Sequence, residues 1–446
     1  MQNETVLPRP AIFSLDALIF IPFCGIYVAL YQYDAKGVFL TASLITYLFI
    51  DLFIPWHSLS EGSQAWTRVV QCKLALILLA IAVATFLPTS LWVAARRSAG
   101  STATVQDSLL QIEAGLDFIR RGESPYGQDY SNTPMGHLRF EVHGLTENPA
   151  LHHVIYLPFF FEFSYPFYTA ALKLWGWWDQ RLLYMALLAV CLGCLFQLTR
   201  SAASRLGLLP LLGLNPMLML AFLQGGNDVF PLTFVALSAW LLYRRQLTLS
   251  MIMLALAVAS KHTAWFVVPF FLIHMLGPWP WKRRAAVRVA RQAWPAVVVL
   301  AVSLGPFLLT DPRGLIMDTL GYILGLSPNP VYIAGVGFGE LLFRLGVVQV
   351  TGNYPFWLWQ IGIGLPLLIW LAAYQIRHRD PRRIWIDGAC FGIIVSFFGR
   401  VFFDSYLGFY LVVAALGALA DPVSVTPESR WRAPPQVEGG QEIRPL

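Results

Sequence analysis

Residues 205–284 read RLGLLPLLGLNPMLMLAFLQGGNDVFPLTFVALSAWLLYRRQLTLSMIMLALAVASKHTAWFVVPFFLIHMLGPWPWKRR. Four apolar runs stand in this stretch, at 206–223, 229–243, 246–260 and 263–280. Cations punctuate them at Arg205, at Arg244-Arg245 and at Lys282-Arg283-Arg284. A membrane helix needs roughly 20 apolar residues, and cations in short loops mark the cytoplasmic side. The chain therefore rises and returns twice between these clusters. Each return carries polar residues at its far apex: Gln224-Gly225-Gly226-Asn227-Asp228 in the first and Lys261-His262 in the second. The rising arm 246–260 supplies about 15 residues, or about 22 Å at the helical rise per residue. That is shorter than a ~30 Å hydrocarbon core, so Lys261 and His262 sit at or just below the outer headgroup level.

The same reading extends outward. Further apolar runs occupy 11–33, 37–56, 73–95, 182–199, 287–309, 356–376, 384–399 and 405–420, giving about 12 spans in all, within a range of 10–13. Arg68, Arg200, the cluster Arg377, Arg379, Arg382 and Arg383, and the polar tail fall on the side of Arg244. Both termini are therefore expected in the cytoplasm. The fold class is an all-α polytopic membrane protein. Composition agrees. Of 446 residues, 57% are hydrophobic and 13% charged, against about 25% charged in soluble domains. The mean hydropathy is +0.59. A soluble globule of this composition lacks the polar surface to cover itself, and collagen, disordered and disulfide-scaffold classes are excluded too.

The net charge of +6 is carried in short clusters between apolar runs, which is a loop pattern and not a nucleic-acid signal. Only five of the 31 cations are Lys, which suggests a GC-rich bacterial genome and hence a plasma-membrane location. The polar start MQNETVLPRP has no basic region and no small-residue cleavage site, so no cleavable signal peptide is expected. Cys191 and Cys194 form a CxxC, but inside an apolar run, where the spacing is ordinary helix packing.

Three segments follow from this trace. Residues 1–60 hold two extra N-terminal transmembrane helices, 61–420 a transmembrane catalytic module, and 421–446 a cytoplasmic polar tail. The module has two external loops, a long first one at 96–181 and a second at 310–355. In the first, 154–178 is aromatic and broken by Pro158 and Pro166. If it crossed the bilayer, Arg200, Arg244 and Lys282 would all move outside, so it is read as an interfacial or re-entrant helix. Tyr165, Trp175, Trp177 and Trp178 suit that level. The run between Arg383 and the tail puts Gly399-Arg400 and Asp404 at another outer apex. Ionisable residues at membrane depth are functional by default, although loop-capping ion pairs are common. Here four polar features gather on one face, and cations beside aromatics there suit a lipid-linked phosphate. Lys261, His262 and Arg400 are the candidates for that contact.

QDSLLQIEAGLDFIRRGESPYG (106–127) sets an acidic residue soon after an outward-going helix, then a helical stretch, then G-x-x-P-Y. It resembles the first external loop of class C (GT-C) glycosyltransferases, and most of all the polyprenol-phosphate-mannose-dependent mannosyltransferases. NPALHHVIYLPFFF (148–161) is similar to the surface helix of that family, QGGND (224–228) to its apex, and SKHTAWFVVPF (260–270) to its lysine-containing element. The resemblance covers about 100–280. It departs where the family often has two acids, since Gln106 precedes Asp107, and where the family has Tyr-Pro-Pro, since this chain has Tyr156-Leu157-Pro158. It implies a GT-C fold whose long first loop carries interfacial helices. It also implies transfer of a hexose, mannose first, from a polyprenyl-phosphate donor to a hydroxyl on the outer face, with Asp107 as general base.

A carboxylate within about 3 Å of the incoming hydroxyl can take its proton as it attacks the anomeric carbon. Asp107 can do this, or it can serve only as the cap of a helix over 108–121. The leaving polyprenyl phosphate departs as an anion stabilised by cations. Glu113, Tyr126, His152, His153, Tyr156, Asn227 and Asp228 are the candidate acceptor or sugar contacts. Five of these have a bland alternative: a paired acid for Glu113, interface anchoring for the tyrosines, and loop fixing for Asn227 and Asp228; His152 and His153 could contact sugar hydroxyls or phosphate. Asp117 beside Arg120 and Arg121 reads as a helix-surface pair, and Asp129 as a turn residue. No cofactor is called for, and a divalent metal, though possible, is not indicated by the His and acid spacing. No phosphate-binding glycine motif appears, which argues against a nucleotide-sugar donor. The expected partners are the lipid donor, membrane lipid, and a glycan, glycolipid or protein acceptor. A transporter or lipid flippase is the alternative, and a non-catalytic assembly subunit the third reading. No repeat is visible, however, and the polar residues gather at one face instead of mid-membrane.

Overall fold

The computed structural model describes residues 13–54, 59–100, 104–277, 279–281 and 283–420. The expected cytoplasmic tail at 421–446, the extreme N-terminus and Lys282 lie outside the described residues. The protein is overwhelmingly helical. In chain order the main helices are α1 (Leu15–Leu30), α2 (Ala35–Phe53), α3 (Gln64–Ala99), α4 (Asp107–Arg120), α5 (Pro158–Trp175) and α6 (Arg181–Leu198). They continue with α7 (Ala202–Gly213), α8 (Pro216–Leu223), α9 (Val229–Tyr243), α10 (Leu247–Val258), α11 (His262–Leu276) and α12 (Arg283–Thr310). The last three are α13 (Phe356–His378), α14 (Arg383–Phe397) and α15 (Asp404–Ala418).

Each apolar run read from the sequence holds a helix or a helix pair. Length and apolarity qualify five described helices to cross a membrane: α2, α3, α6, α12 and α13. A sixth follows if α7 and α8 count as one span bent by 41°. The bend has a local cause. Pro216 cannot donate to the preceding turn, so the helix restarts there, with the Asn215 side chain capping the Met217 amide at 3.1 Å. Helix α3 runs farther than its apolar run. Ser63 caps it by accepting from Trp66 N at 3.2 Å, a π turn at Ala82–Phe86 precedes Pro88, and Gly100 ends it in the left-handed conformation.

Helices α1 to α3 are tied together by charge. Lys73 of α3 is fully buried, as is Asp16 of α1. The Lys73 ammonium donates to Asp16 at 2.7 Å, to Asp51 of α2 at 2.6 Å and to Ser14 at 3.2 Å. The Tyr47 hydroxyl also donates to Asp16. Burying a carboxylate costs several kcal/mol unless it is paired and hydrogen-bonded, and this arrangement supplies both.

The long first loop forms α4 and α5 and a compact irregular segment between them. Helix α5 buries Phe160, Phe161, Ser164, Tyr168 and Ala171 on one face. Phe160 stacks on Phe230 of α9 at a centroid distance of 4.0 Å. The second loop is stitched to the first and to the segment before α15. Asp318 accepts from the Gly127 amide at 2.8 Å and contacts His153 Nδ1 at 2.8 Å. Ala334–Gly335 pair in parallel with Val401–Phe402. Gly335 is required there, because at φ +97° an added Cβ would lie 2.1 Å from the Phe402 carbonyl oxygen. The two loops thus close over the start of α4 and over the segments that precede α9, α11 and α15.

Candidate active site

Helix α4 begins at Asp107, and its start is fixed from two sides. The Gln106 amide donates to the Gln224 carbonyl at 2.8 Å, which ties the helix to the Gln224–Asp228 apex. The Gln111 side chain donates to the carbonyls of Ala150 at 2.6 Å and His153 at 2.8 Å, which ties it to the loop before α5. The helix seats closely on the apex because Gly225 has no side chain. Its φ is +98°, and a Cβ would lie 2.3 Å from Leu109 Cδ1.

The N-cap position belongs to Gln106, whose side chain makes no capping bond. Asp107 occupies the first turn, where the helix dipole favours an anion. One of its oxygens accepts from the Ser108 amide at 2.7 Å and the other from Asn148 Nδ2 at 2.7 Å. Asn148 is buried. Its own oxygen caps the Ala150 amide at 3.0 Å, so the amide orientation is set and the NH₂ faces Asp107. Asp107 itself remains half-buried at the edge of a cavity.

That cavity measures about 330 Å³. Its lining brings together Asp107, Tyr156, Asn227, Asp228 and Lys261, five of the residues singled out in the sequence. Lys261 is buried and forms an ion pair with Asp228, and it donates to Asn227 at 2.8 Å. The neighbouring backbone is pinned as well. The Leu157 and Phe159 amides each donate at 3.1 Å, to the carbonyls of Ser260 and Ala259. Burial, with the Asp107 carboxylate adding to it, holds the Tyr156 phenol well above its usual pKa. Tyr156 is therefore a neutral donor beside an acid.

A second cavity of about 170 Å³ continues from the first. The two share Ile155, Lys261, Val331, Phe403 and Tyr406 as lining. The second is walled mainly by apolar side chains and contains Lys261, His262 and Arg400. His262 packs on Trp265 at 4.7 Å, and among the described residues its Nε2 has no hydrogen-bond partner. Arg400 is buried and ion-pairs with no carboxylate among the described residues. Its guanidinium donates to three carbonyls: Val331, Gly352 at 2.7 Å and Val350 at 3.3 Å. Burial lowers its pKa to about 10, so it stays charged at neutral pH. The three walls it touches belong to the second loop.

Other candidates lie elsewhere. Glu113 does not line the cavity. It receives Arg96 through two bonds of 3.0 and 2.6 Å and the Gln180 amide at 2.9 Å, beside the Arg96–Asp179 and Arg181–Asp179 pairs. It joins the end of α3 to the start of α6. Tyr126 is buried and spends its hydroxyl on the Tyr156 carbonyl at 2.8 Å, an indirect support for the cavity wall. His153 is held by Asp318. His152 lies 3.1 Å from Glu147 and lines a different cavity. Asp117 pairs with Arg120 at 2.7 Å, and Asp129 accepts from the Ser131 amide at 2.8 Å in a turn.

The cavity also includes Gln111, Tyr322, Tyr332, Ser405 and Tyr406, which the sequence did not single out. Asp404, placed at an outer apex by the trace, lines it too. Asn148 had one usable signal, an Asn just before Pro149, which marks a cap. The tyrosines had none, since they arrive from the second loop and from α15. Among the described residues no three of His, Cys, Asp and Glu converge to hold a metal ion.

Residues 117–277, a little over a third of the chain, match the family model for the N-terminal domain of alpha-(1->6)-mannopyranosyltransferase. The match supports a mannosyltransferase and is consistent with a class C membrane enzyme. It takes in Tyr156, Asn227, Asp228, Lys261 and His262 and begins after Asp107. Comparison with curated proteins yields no match.

Proposed function

We propose that this protein transfers mannose from a polyprenyl-phosphate donor to an acceptor hydroxyl at the outer face of a bacterial plasma membrane. In this reading the shorter apolar helices complete about 12 crossings, and both termini are cytoplasmic. The carrying observation is the pair of joined cavities. One presents the oriented Asp107 carboxylate and the other is mostly apolar and cationic, with Lys261 on their shared wall. A lipid-phosphate sugar has that same polarity, a hydroxyl-rich head, an anionic joint and an apolar tail.

The acceptor hydroxyl gives its proton to the free face of Asp107 while its oxygen attacks the anomeric carbon. The bond from that carbon to the phosphate oxygen breaks, and the electron pair leaves with the polyprenyl phosphate. Lys261, with Arg400 and His262 along the second cavity, stabilises the growing negative charge. Asp228 and Asn227 hold the Lys261 ammonium in place. Tyr156 and Asn227 offer hydrogen bonds to sugar hydroxyls. A transporter would instead need its polar groups along a path between the two faces.

The test is Asp107→Asn in membranes supplied with labelled polyprenyl-phosphate mannose. General-base catalysis contributes about 10²- to 10⁴-fold, so transfer should fall by that factor while donor binding persists. Transfer at the wild-type rate would remove Asp107 from the mechanism.

A further inference from the structure

Helix α12 begins with a charge that its own surroundings do not meet. Arg283, Arg284, Arg288 and Arg291 fall in its opening turns, and its first turn holds no acid. A helix N-terminus already carries partial positive charge, which favours acids there and disfavours cations. Like charges four residues apart, as Arg284 and Arg288 are, also repel. All four arginines are exposed. Among the described residues none of them pairs with a carboxylate, whereas Arg96, Arg120, Arg181 and Arg383 each do.

The arginines are also ordered along the helix. Arg284, Arg288 and Arg291 stand at i, i+4 and i+7, which is one stripe. The same side continues as Trp294, Val298 and Val302, all exposed. The opposite side, with Val289, Ala293 and Ala296, packs on the core, so the stripe faces away from the protein. Only 11% of the apolar part of α12 is buried. From Arg284 to Arg291 the helix rises about 10 Å. That crosses the headgroup layer, which adds roughly 5–8 Å to each side of the hydrocarbon core. Tryptophans border the same end: Trp279 is exposed and packs on Trp281 at 5.0 Å, and Trp281 Nε1 donates to the Gly277 carbonyl at 3.2 Å. Cations, then an indole, then aliphatic side chains reproduce the order of a phospholipid: phosphate, interface, acyl chain. A soluble acidic partner would meet the arginines and leave the aliphatic continuation uncovered.

We propose that the stripe of Arg284, Arg288 and Arg291 is a binding site for an anionic phospholipid, whose chain runs along Trp294, Val298 and Val302. Guanidinium forks take phosphate oxygens in pairs. A zwitterionic lipid offers the same phosphate beside a cation that the stripe repels. The bound lipid neutralises the charge at the start of α12. The inference needs the membrane reading of the chain and is independent of the transferase reading.

The experiment offers phosphatidylglycerol and phosphatidylcholine at equal concentration to the full-length chain in neutral detergent and counts bound lipid by native mass spectrometry. The first lipid bound by wild type should be phosphatidylglycerol. Arg288→Gln should lower that preference about 5-fold, and Gln at all three positions should lower it by more than about 10-fold. Arg377→Gln with Arg379→Gln removes charge elsewhere and should leave it unchanged. All five residues are exposed, so the variants should fold, and the single variant carries the test if the triple does not. The proposal is overturned if wild type shows no preference, if the triple variant keeps it, or if the Arg377 and Arg379 control loses as much. Displacement of the lipid by equimolar glycerol phosphate also overturns it, in favour of a soluble phosphate. A copurifying acidic protein that blocks the lipid overturns it in favour of a protein partner.

Discussion

Replacing Asn148 tests whether Asp107 is aimed or merely present. Asn148 does two jobs. Its oxygen caps the Ala150 amide at 3.0 Å, and its NH₂ donates to Asp107 at 2.7 Å. A hydrogen bond to a charged group is worth about 1.5–3 kcal/mol. If that energy serves to hold Asp107 in its reactive geometry, Asn148→Ala lowers kcat by about 10- to 150-fold at about 1.4 kcal/mol per factor of ten. The donor KM should change little, because Asn148 does not line either inner cavity. Asn148→Asp separates the two jobs. Aspartate caps a helix as well as asparagine does, so a residue needed only as a cap would tolerate it. An aspartate has no donor for Asp107, however, and sets a second carboxylate against the first. Turnover in membranes, normalised to folded protein, should therefore be at least as low for Asn148→Asp as for Asn148→Ala. Near-normal turnover in Asn148→Asp would refute the orienting role and leave only the cap.

Three further outcomes follow from the packing. Lys73→Met takes from Asp16 and Asp51 the ammonium they share, and breaking a buried pair costs ~3–5 kcal/mol. The unfolding midpoint in detergent should drop sharply, and adding Asp16→Asn with Asp51→Asn should restore most of it; a single variant as stable as wild type would contradict this. Gly225→Ala must accept φ +98° and a clash with Leu109, so it should displace the start of α4 and lower kcat by about 5- to 150-fold, at ~1–3 kcal/mol for overpacking. Unchanged turnover would show that α4 does not depend on that seat. Arg400→Lys offers one point charge where the guanidinium reaches three carbonyls. Amide exchange at 350–352 should rise, and unchanged protection there would mean that Arg400 does not hold the second loop.

Helix placement was legible because it is local. Each apolar run became a helix or a helix pair, and the Gly225 apex was visible as punctuation, whereas the break at Pro216 inside 206–223 was not read. The convergence of Asp107, Asn227, Asp228 and Lys261 was legible for a related reason. Short arms between clusters of cations leave polar residues nowhere to go but one end. What the sequence hid is long-range. Nothing near residue 107 announces Asn148, 41 residues away. Nothing near Glu113 announces that Arg96 and the Gln180 amide will claim it. Arg400 was legible as a cation at an apex, but not the carbonyls it holds. Its bonds to backbone carbonyls depend on how the second loop folds back, and a one-dimensional pattern does not record that.

The Lys73 cluster also bears on how the chain is made. Asp16 and Asp51 leave the ribosome before Lys73, and Asp51 precedes it by 22 residues. The α1–α2 hairpin buries two of its acids, Asp16 and Asp51, and the lysine that bridges them is supplied by α3. The ammonium shared by Asp16 and Asp51 therefore arrives only with the third helix, and a chain truncated between residues 53 and 73 would reach the membrane without it.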